Sequence, residues 1–230
     1  MPAHPHRYEL GQNFLADHRI AARIARLVPP GPVVELGPGD GAVTRHLLRR
    51  PESLTAVELD PRRAAALERR FGDRVTVVHG DMLRFHEPGP HHVVSNVPFG
   101  ITTPLLRHLL WQVGWGTAVL LLQWEVARKR AAVGGTTQLT ASWWPWFEFA
   151  LAGRVPAGAF RPRPSVDGGL LVMSRRERPL LDRRGRGAYQ RFVAAAFRVG
   201  RMDGRRPRDL DAHAWVTSFD GSLAGRRRMT

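Results

Sequence analysis

The sequence predicts an α/β protein built on a doubly wound parallel sheet, and three observations support that prediction. Short apolar runs alternate with helix-forming segments from residue 33 to about residue 132. The first run leads into glycines at alternate positions, Gly37, Gly39 and Gly41, and the second run ends in a carboxylate, Glu58. Such alternation favours a parallel sheet covered by helices, with ligands at the carboxyl ends of its strands.

The predicted elements follow one another closely up to residue 132. A polar, His-rich arm covers residues 1–15. Asp17 is typical of a helix N-cap, and Asp60 suits the same role with Pro61 at the first helical position. The predicted segments are helix 18–28, strand 33–36, helix 42–50, strand 54–58, helix 61–71, strand 74–78, a strand from residue 93 to about 96, helix 104–111, strand 118–122 and helix 125–132.

The pattern changes after Gly134 and Gly135. Residues 147–155 and 169–173 are predicted to be late strands of an antiparallel hairpin, separated by a basic, proline-stiffened loop over 160–167. Beyond residue 175 the chain is Arg-rich, and its aromatic residues recur at helical spacing. We therefore expect a domain over 1–174 and a small basic helical domain over 175–230.

The charge distribution indicates a polyanionic partner. The formal net charge is +15, and 34 of the 35 Lys and Arg residues are arginine. Residues 1–174 carry 20 basic and 14 acidic residues, net +6, whereas residues 175–230 carry 15 and 6, net +9. Nucleic acid is the first candidate partner. An anionic membrane surface is less favoured, because no basic amphipathic helix with a bulky apolar face is evident.

Composition also excludes several classes of protein. The chain has no cysteine, so it has neither a disulfide framework nor a cysteine-based metal site. The N-terminus lacks the apolar core of a signal peptide, and the longest apolar run, 118–122, is too short to cross a bilayer. These features favour a cytoplasmic protein.

The glycine-rich turn and two acids predict a nucleoside-binding crevice. Glycine lets backbone approach a ligand closely, although Gly-x-Gly-x-Gly alone is equally consistent with a tight strand-to-helix turn. Glu58 lies about twenty residues beyond the first glycine, where a carboxylate accepts both hydroxyls of a ribose. Asp81 follows the third strand and is placed to accept from an adenine amine. The alternatives are a helix-capping role for Glu58 and a turn role for Asp81.

The segment Asn96-Val97-Pro98-Phe99 ends the fourth predicted strand. A nucleobase amine is a poor nucleophile, because its lone pair is delocalised into the ring. The amide oxygen of Asn96 and the carbonyl of Val97 are suited to accept from such an amine and free its lone pair. Pro98 stiffens the turn, and Phe99 offers a face for base stacking. The alternative is a β-turn with a core phenylalanine.

With these motifs in order, the sequence resembles the S-adenosylmethionine-dependent rRNA adenine N6-methyltransferases, most closely the erythromycin-resistance (Erm) type that acts on 23S rRNA. The resemblance runs from about Gly11 to Asp167. It implies a class I, Rossmann-like S-adenosylmethionine-binding domain with a small C-terminal helical domain. The cofactor-binding residues that it implies are Asn13, the Leu15 backbone, Gly37, Gly39, Glu58, Asp81 and Asn96.

The resemblance also implies the catalytic residues. Asn96 to Phe99 match the family's Asn-Ile/Leu-Pro-Tyr/Phe motif, with a smaller Val97 in its second position. Phe160 opens a Phe-x-Pro-x-Pro-x-Val-Asp loop and is implied to be a second aromatic clamp on the target adenine. Within that loop, Arg161 and Arg163 are candidate phosphate contacts.

The implied function is methyl transfer to N6 of one adenine in unassembled 23S rRNA, with resistance to macrolides. The protein is expected to be a monomer that needs no metal. Two alternatives remain open. One is a housekeeping small-subunit rRNA dimethyladenosine transferase, which an assay of small against large rRNA separates. The other is an RNA-binding relative that has lost the chemistry but retains cofactor binding.

Overall fold

The computed structural model describes residues 13–50 and 52–227 and divides into two compact units. The first unit comprises residues 1–127 with 152–172, and the second comprises 128–151 with 173–230. Residues 128–151 are thus grouped with the C-terminal part of the chain, whereas the sequence analysis divides the chain once, after residue 174. The assignment of functions to 1–174 and 175–230 stays a prediction.

The strands of the described residues form one seven-stranded sheet and one two-stranded sheet. In chain order they are β1 (Phe14–Leu15), β2 (Val33–Leu36), β3 (Leu54–Glu58), β4 (Thr76–His79), β5 (His91–Asn96), β6 (Trp115–Gln123), β7 (Phe147–Val155), β8 (Phe160–Arg161) and β9 (Gly168–Arg175). The large sheet has the order β4-β3-β2-β5-β6-β9-β7, and its strands from β4 to β6 are parallel. The predicted parallel sheet is confirmed.

The order of the strands creates a topological switch point beside β2. The chain steps from β2 outward to β3 and β4, and then returns to β5 on the other side of β2. Ligands of such sheets bind in the crevice outside the carboxyl ends of the strands at this point. Val33, Val34 and Leu36 are buried, so the apolar run anchors β2 in the core beneath that crevice.

The helices of the described residues follow the predicted order, except that the helix Gln138–Trp143 has no counterpart among the predicted segments. The two predicted caps are confirmed. Asp17 accepts from the backbone N–H groups of Arg19 and Ile20, and Asp60 from those of Arg62 and Arg63. The helices are α1 (His18–Leu27), α2 (Thr44–Leu47), α3 (Pro61–Phe71), α4 (Thr102–Trp111), α5 (Trp124–Arg130), α6 (Gln138–Trp143), α7 (Arg186–Val199) and α8 (Ala212–Arg227).

Helix α2 is much shorter than the predicted segment 42–50. Gly41 has φ +75°, which keeps the preceding turn out of the helix. At the other end, Arg49 and Arg50 donate to the carbonyls of His46 and Leu47, three residues back, so the last turn tightens. A proline follows Arg50 in the sequence and disfavours helical backbone before it.

The late strands are neighbours, as the sequence predicts, because β9 lies between β6 and β7. The connection between them carries β8, which pairs antiparallel with β1, Leu15 opposite Phe160. The backbone N–H groups of Ala16 and Asp17 extend this junction by donating to the carbonyl of Ala159. The β1–β8 pairing holds the segment beginning at Asn13 against the loop that precedes β9.

The second unit has an aromatic core. Tyr189 and Trp215 are fully buried, and Tyr189 packs edge-on against Trp146 and Phe219, with ring centroids 5.7 and 5.4 Å away. The Tyr189 hydroxyl donates to the carbonyl of Ala141 at 3.0 Å. Burial raises the pKa of Tyr189 above its usual value. The predicted helical spacing of Tyr189, Phe192, Val193 and Phe197 is confirmed, because all four lie on α7.

No helix within residues 13–50 and 52–227 is long and apolar enough to cross a bilayer.

Candidate active site

A crevice opens beyond the carboxyl ends of β2, β3, β4 and β5, at the switch point of the sheet. Its lining includes most of the residues that the sequence analysis assigns to cofactor binding and catalysis. These are Asn13, Leu15, Gly37, Gly39, Glu58, Asp81, Asn96 and Pro98. Residues that are up to 85 positions apart in the chain therefore meet in one place.

The glycine turn after β2 requires its glycines. Gly37, Gly39 and Gly41 have φ of +69°, +57° and +75°, the left-handed region that side chains rarely adopt. A Cβ on Gly37 would lie 2.8 Å from the terminal methyl of Met82, and one on Gly41 would lie 2.8 Å from the Phe71 ring. The turn is thus packed closely as well as strained for any other residue.

The Glu58 carboxylate is held by backbone on both sides. One oxygen accepts from the N–H of Gly39 at 3.0 Å, and the other accepts from the N–H of Asp60 at 3.0 Å. A carboxylate has about four acceptor sites, so capacity for two further donors remains on the side that lines the crevice. The structural role and the binding role predicted for Glu58 are therefore compatible.

Asp81, like Glu58, combines a structural role with a place in the lining of the crevice. One of its oxygens accepts from the backbone N–H of Leu83 at 2.8 Å, as expected of a turn aspartate, and the side chain also lines the crevice. Leu59, Met82 and Ile101 contribute apolar side chains to the lining of the same crevice. None of these three residues has a predicted role from the sequence. The sequence signal that could have identified Leu59 and Met82 is their position, since each directly follows an acidic residue at the end of a strand.

Asn96 has a defined orientation. Its side-chain amide nitrogen donates to the backbone carbonyl of Asn13 at 2.9 Å. Since the amide is planar, this bond leaves the Asn96 Oδ1 atom as the acceptor at the crevice. Asn96 is half-buried, at the carboxyl end of β5.

The rest of the Asn96–Phe99 segment is only partly at the crevice. Pro98 lines it, whereas the Val97 side chain is buried and its backbone N–H donates to the carbonyl of Leu121 at 3.0 Å. Phe99 is half-buried and begins a short 3-10 turn. Val97 is thus anchored to the neighbouring strand β6, which fixes the direction of its peptide group.

Phe160 is not brought into the crevice. Its ring is fully buried in the core, where it packs against the backbone of Gly168, so neither face is accessible to a base. The structure gives no geometric support for the implied clamp at Phe160. Arg161 and Arg163 are exposed, and Arg161 donates to the carbonyls of Gly158 and Phe160.

Two further groups shape the crevice. Glu35 lines it from β2, is 3% exposed, and accepts from the Thr44 hydroxyl at 2.6 Å. Burial raises the pKa of Glu35 to about 7. At the rim, the Arg63 guanidinium lies 4.1 Å from the Phe14 ring centroid and 3.0 Å from an Asp40 carboxylate oxygen. Neither Glu35 nor Arg63 has a predicted role from the sequence.

Comparison with known proteins gives a consistent family. Residues 3–202 match the family model of ribosomal RNA adenine dimethylases. The mycinamicin-resistance protein MyrB of Micromonospora griseorubida is 53% identical over 95% of this chain and 79% of that protein. An rRNA adenine N-6-methyltransferase of Corynebacterium diphtheriae is 47% identical over 86% of this chain and 80% of its own length. The crystal structure of the 23S rRNA methyltransferase ErmE has a TM-score of 0.81 at 30% identity, covering 90% of this chain and 98% of that one.

The glycine turn, the two acids and the Asn96 segment at a switch point define a class I S-adenosylmethionine-dependent methyltransferase. The chain belongs to the ribosomal RNA adenine dimethylase family, and its relatives make it an rRNA adenine N6-methyltransferase of the Erm type. The family, the fold class and the enzyme class predicted from the sequence are confirmed.

Proposed function

We propose that this enzyme methylates N6 of one adenine in 23S rRNA, before ribosome assembly buries that base, and that the modification confers resistance to macrolide-type antibiotics. The names of its relatives support this choice, since MyrB is named for mycinamicin resistance and ErmE for 23S rRNA methylation. A methylated adenine amine is bulkier and has fewer donors, which hinders an antibiotic that packs against it.

The bond between Asn96 and the Asn13 carbonyl is the observation that carries the proposal. It fixes the Asn96 amide with its oxygen as an acceptor beside the crevice. A target amine that donates to this oxygen and to the Val97 carbonyl is drawn out of conjugation with its ring. The amine nitrogen, with its lone pair freed from the ring, is then the nucleophile, and no strong general base is required. Phe99 is proposed to stack on the base, a contact worth about 1–3 kcal/mol.

The residues present fit S-adenosylmethionine. The Glu58 carboxylate is proposed to accept from the ribose hydroxyls, Asp81 from the adenine amine, and Leu59, Met82 and Ile101 to pack on the adenine ring. When bound there, S-adenosylmethionine supplies an electrophilic methyl group on its sulfonium. The glycines at 37 and 39 allow backbone to lie against the ligand, and Asn13 and the Leu15 backbone are proposed to hold its methionine end.

The RNA must present an unpaired adenine. A base in a helix cannot reach a crevice of this kind without leaving its stack, so a loop or bulge is the expected substrate. Arg161, Arg163 and the basic residues beyond 175 are proposed phosphate contacts, with catalysis assigned to 1–174. We propose that the protein acts in the cytoplasm, where rRNA is made, and as a monomer.

Mass mapping of rRNA from a macrolide-sensitive bacterium that expresses the protein tests the proposal. One or two methyl groups are expected on a single adenine of 23S rRNA, with Asn96→Ala as the inactive control. Modification of small-subunit rRNA instead would show the housekeeping activity. Unmodified rRNA, with cofactor binding retained, would show a relative that has lost the chemistry.

A further inference from the structure

We propose that one face of the first unit, formed by α1 and α2, binds the phosphates of the RNA strand that leads into the crevice. This α1–α2 face is defined by His18, Arg26, Arg45, His46 and Arg49. The proposal rests on the proposed function in taking rRNA as the substrate, and it adds the path that the strand follows.

The face is basic throughout. Residues 18–28 and 44–50 together contain six arginines and two histidines, and they contain no aspartate or glutamate. Elsewhere in residues 1–174 there are 14 basic and 14 acidic residues, so these six arginines account for the whole net excess of +6 in that part. A surface that carries positive charge alone, on two helices that pack together, is expected of a protein that binds nucleic acid there.

The face is continuous with the crevice. A shallow groove shares Phe14, Leu15, Asp40 and Ala42 with the crevice, and extends it to His18, Arg45 and Arg161. The Arg45 guanidinium lies 3.4 Å from the His18 ring nitrogen, and the rings of His18 and His46 are 6.3 Å apart. Beyond His46, a second depression has the charged residues Arg26, Arg49, Arg50 and Glu52 in its lining.

The charges of this face are not neutralised within the described part of the chain. Arg50 is the exception, because it pairs with Glu52 and donates to the carbonyls of Val28 and Pro29. Arg26 and Arg49 are exposed and have no carboxylate within ion-pair distance among residues 13–50 and 52–227. A cluster of like charges raises the free energy of the folded protein, and a bound polyanion removes that cost.

The charged groups that act on His46 show that its surroundings are basic. Its pKa is lowered by burial and then by the charges of Arg49, Arg45, His18 and Arg26. No acid is among the groups that act on it. Its Nε2 atom is buried and has no hydrogen-bond partner in the described structure, so a polar ligand at the depression would supply one.

The face fits RNA better than a lipid surface. Its side chains are cationic, and the large exposed apolar residues of the described chain lie elsewhere, at Leu59, Trp111, Val113, Val133, Val166, Val199 and Leu223. Helix α1 is about 15 Å long at 1.5 Å per residue. That length spans several phosphates of one strand, which carry one charge per roughly 3.4 Å in a helix.

The test compares two full-length double variants of equal charge. Arg26→Glu/Arg49→Glu changes the face, whereas Arg62→Glu/Arg69→Glu changes two exposed arginines of α3. Filter binding to protein-free 23S rRNA should show at least about a tenfold loss of affinity for the first variant relative to the second. The neutral variant Arg26→Gln/Arg49→Gln should reduce the salt slope by about 1.5, at 0.7–0.9 per phosphate contact.

Equal affinity and equal salt slope for the two charge-reversed variants would overturn the proposal. If charge reversal prevents folding, the neutral variant and its matched control Arg62→Gln/Arg69→Gln decide the question. The wild-type protein is assayed in parallel for methyl transfer to protein-free 23S rRNA and to protein-free small-subunit rRNA. Methylation of small-subunit rRNA instead would overturn the proposed function, and the variants compared on that RNA would still decide the α1–α2 face.

Crosslinking tests the position directly. Because the chain has no cysteine, Ala22→Cys places a unique thiol in the second depression, and Ala66→Cys places one on the exposed side of α3. With a photocrosslinker on the thiol, the Ala22→Cys variant should crosslink to rRNA and the Ala66→Cys variant should not. Crosslinking that is equal at both positions would exclude the proposed path.

Discussion

At the residue scale, the polar groups of the crevice are oriented by main-chain partners. Asn96 donates to the carbonyl of Asn13, and Glu58 accepts from the N–H groups of Gly39 and Asp60. Groups that are already oriented cost no reorganisation when charge develops, which is the main source of electrostatic catalysis. The backbone path around the crevice is thus part of the catalytic machinery.

Asn96→Ala should abolish most methyl transfer and leave RNA affinity nearly unchanged. Loss of one preorganised polar group is worth about 3–4 kcal/mol, or roughly a hundred- to a thousandfold in rate. Many phosphate contacts determine RNA affinity, so one amide contributes little to it. Single-turnover rates at saturating RNA measure the effect. A variant that keeps more than about a tenth of the wild-type rate, a loss below about 1.4 kcal/mol, would exclude Asn96 as the acceptor.

Glu58→Gln should weaken S-adenosylmethionine binding by roughly ten- to a hundredfold, since a hydrogen bond to a charged group is worth about 1.5–3 kcal/mol. Glu58→Ala should also lower the melting temperature, because Gly39 and Asp60 lose their acceptor. Titration calorimetry and thermal unfolding separate the two effects. Asp60→Ala is the control, because it removes the α3 cap at about 1 kcal/mol and should spare affinity. Unchanged affinity in Glu58→Gln would remove Glu58 from the site.

Glu35 should make the stability of the cofactor-free protein depend on pH. Its folded pKa is raised to about 7 from 4.5, so between these values the native state holds a proton that the unfolded state has lost. The free energy of unfolding therefore falls as pH rises from about 4.5 to about 7, by up to roughly 3 kcal/mol. Glu35→Gln keeps an acceptor for Thr44 and should remove this fall. Denaturant unfolding at pH 5 and pH 8 measures it, and parallel profiles for both proteins would contradict the assignment.

At the scale of elements, the sequence predicts the sheet and the ends of its strands well. Glu58, Asp81 and Asn96 each follow an apolar run, and parallel strands bring such positions to one edge. The two-residue pairing of β1 with β8 has no sequence signal, because neither strand is long enough to show alternation. Phe160 lies on β8 and is buried in the core, so its position relative to the crevice depends on a pairing that could not be predicted.

The variants Gly37→Ala and Gly41→Ala should distinguish an effect of the glycine turn on cofactor binding from its effect on the stability of the fold. Both residues have positive φ, which costs an alanine about 1–2 kcal/mol, and both introduced Cβ atoms would lie 2.8 Å from a side chain. Gly37 lines the crevice and Gly41 is not among its lining residues. Both variants should melt at lower temperature, and only Gly37→Ala should also weaken cofactor binding. Equal affinities by calorimetry would place the ligand away from Gly37.

At the scale of the whole molecule, the sequence predicts a basic C-terminal part but not its extent. The aromatic core of the second unit combines residues of 128–151 with residues beyond 173, and the Trp146 indole donates to the carbonyl of Leu181. Contacts this distant in sequence leave no local pattern. Deletion of residues 176–230 would therefore expose Trp143, Trp146 and Phe147, and is a poor test of RNA binding.

Neutralising Arg198 and Arg201 in the full-length chain is the cleaner test of the C-terminal unit. Both side chains are exposed, Arg198 in the last turn of α7 and Arg201 directly after its C-cap residue. If this unit contacts rRNA phosphates, Arg198→Gln/Arg201→Gln should reduce the slope of log affinity against log salt by about 1.5. Filter binding across a salt series measures the slope. An unchanged slope would mean that these two positions do not contact the phosphates.

The Asn96 amide donates to a main-chain oxygen of residue 13, so that hydrogen bond does not require an asparagine side chain there. A library of substitutions at Asn13 should therefore keep the amide orientation while varying cofactor affinity. Proline insertions or deletions between Asn13 and Asp17 should instead inactivate the enzyme, because the β1–β8 pairing fixes where that oxygen lies. For the orientation of the Asn96 amide, chain length and backbone direction in this segment thus matter more than the identity of the side chain at residue 13.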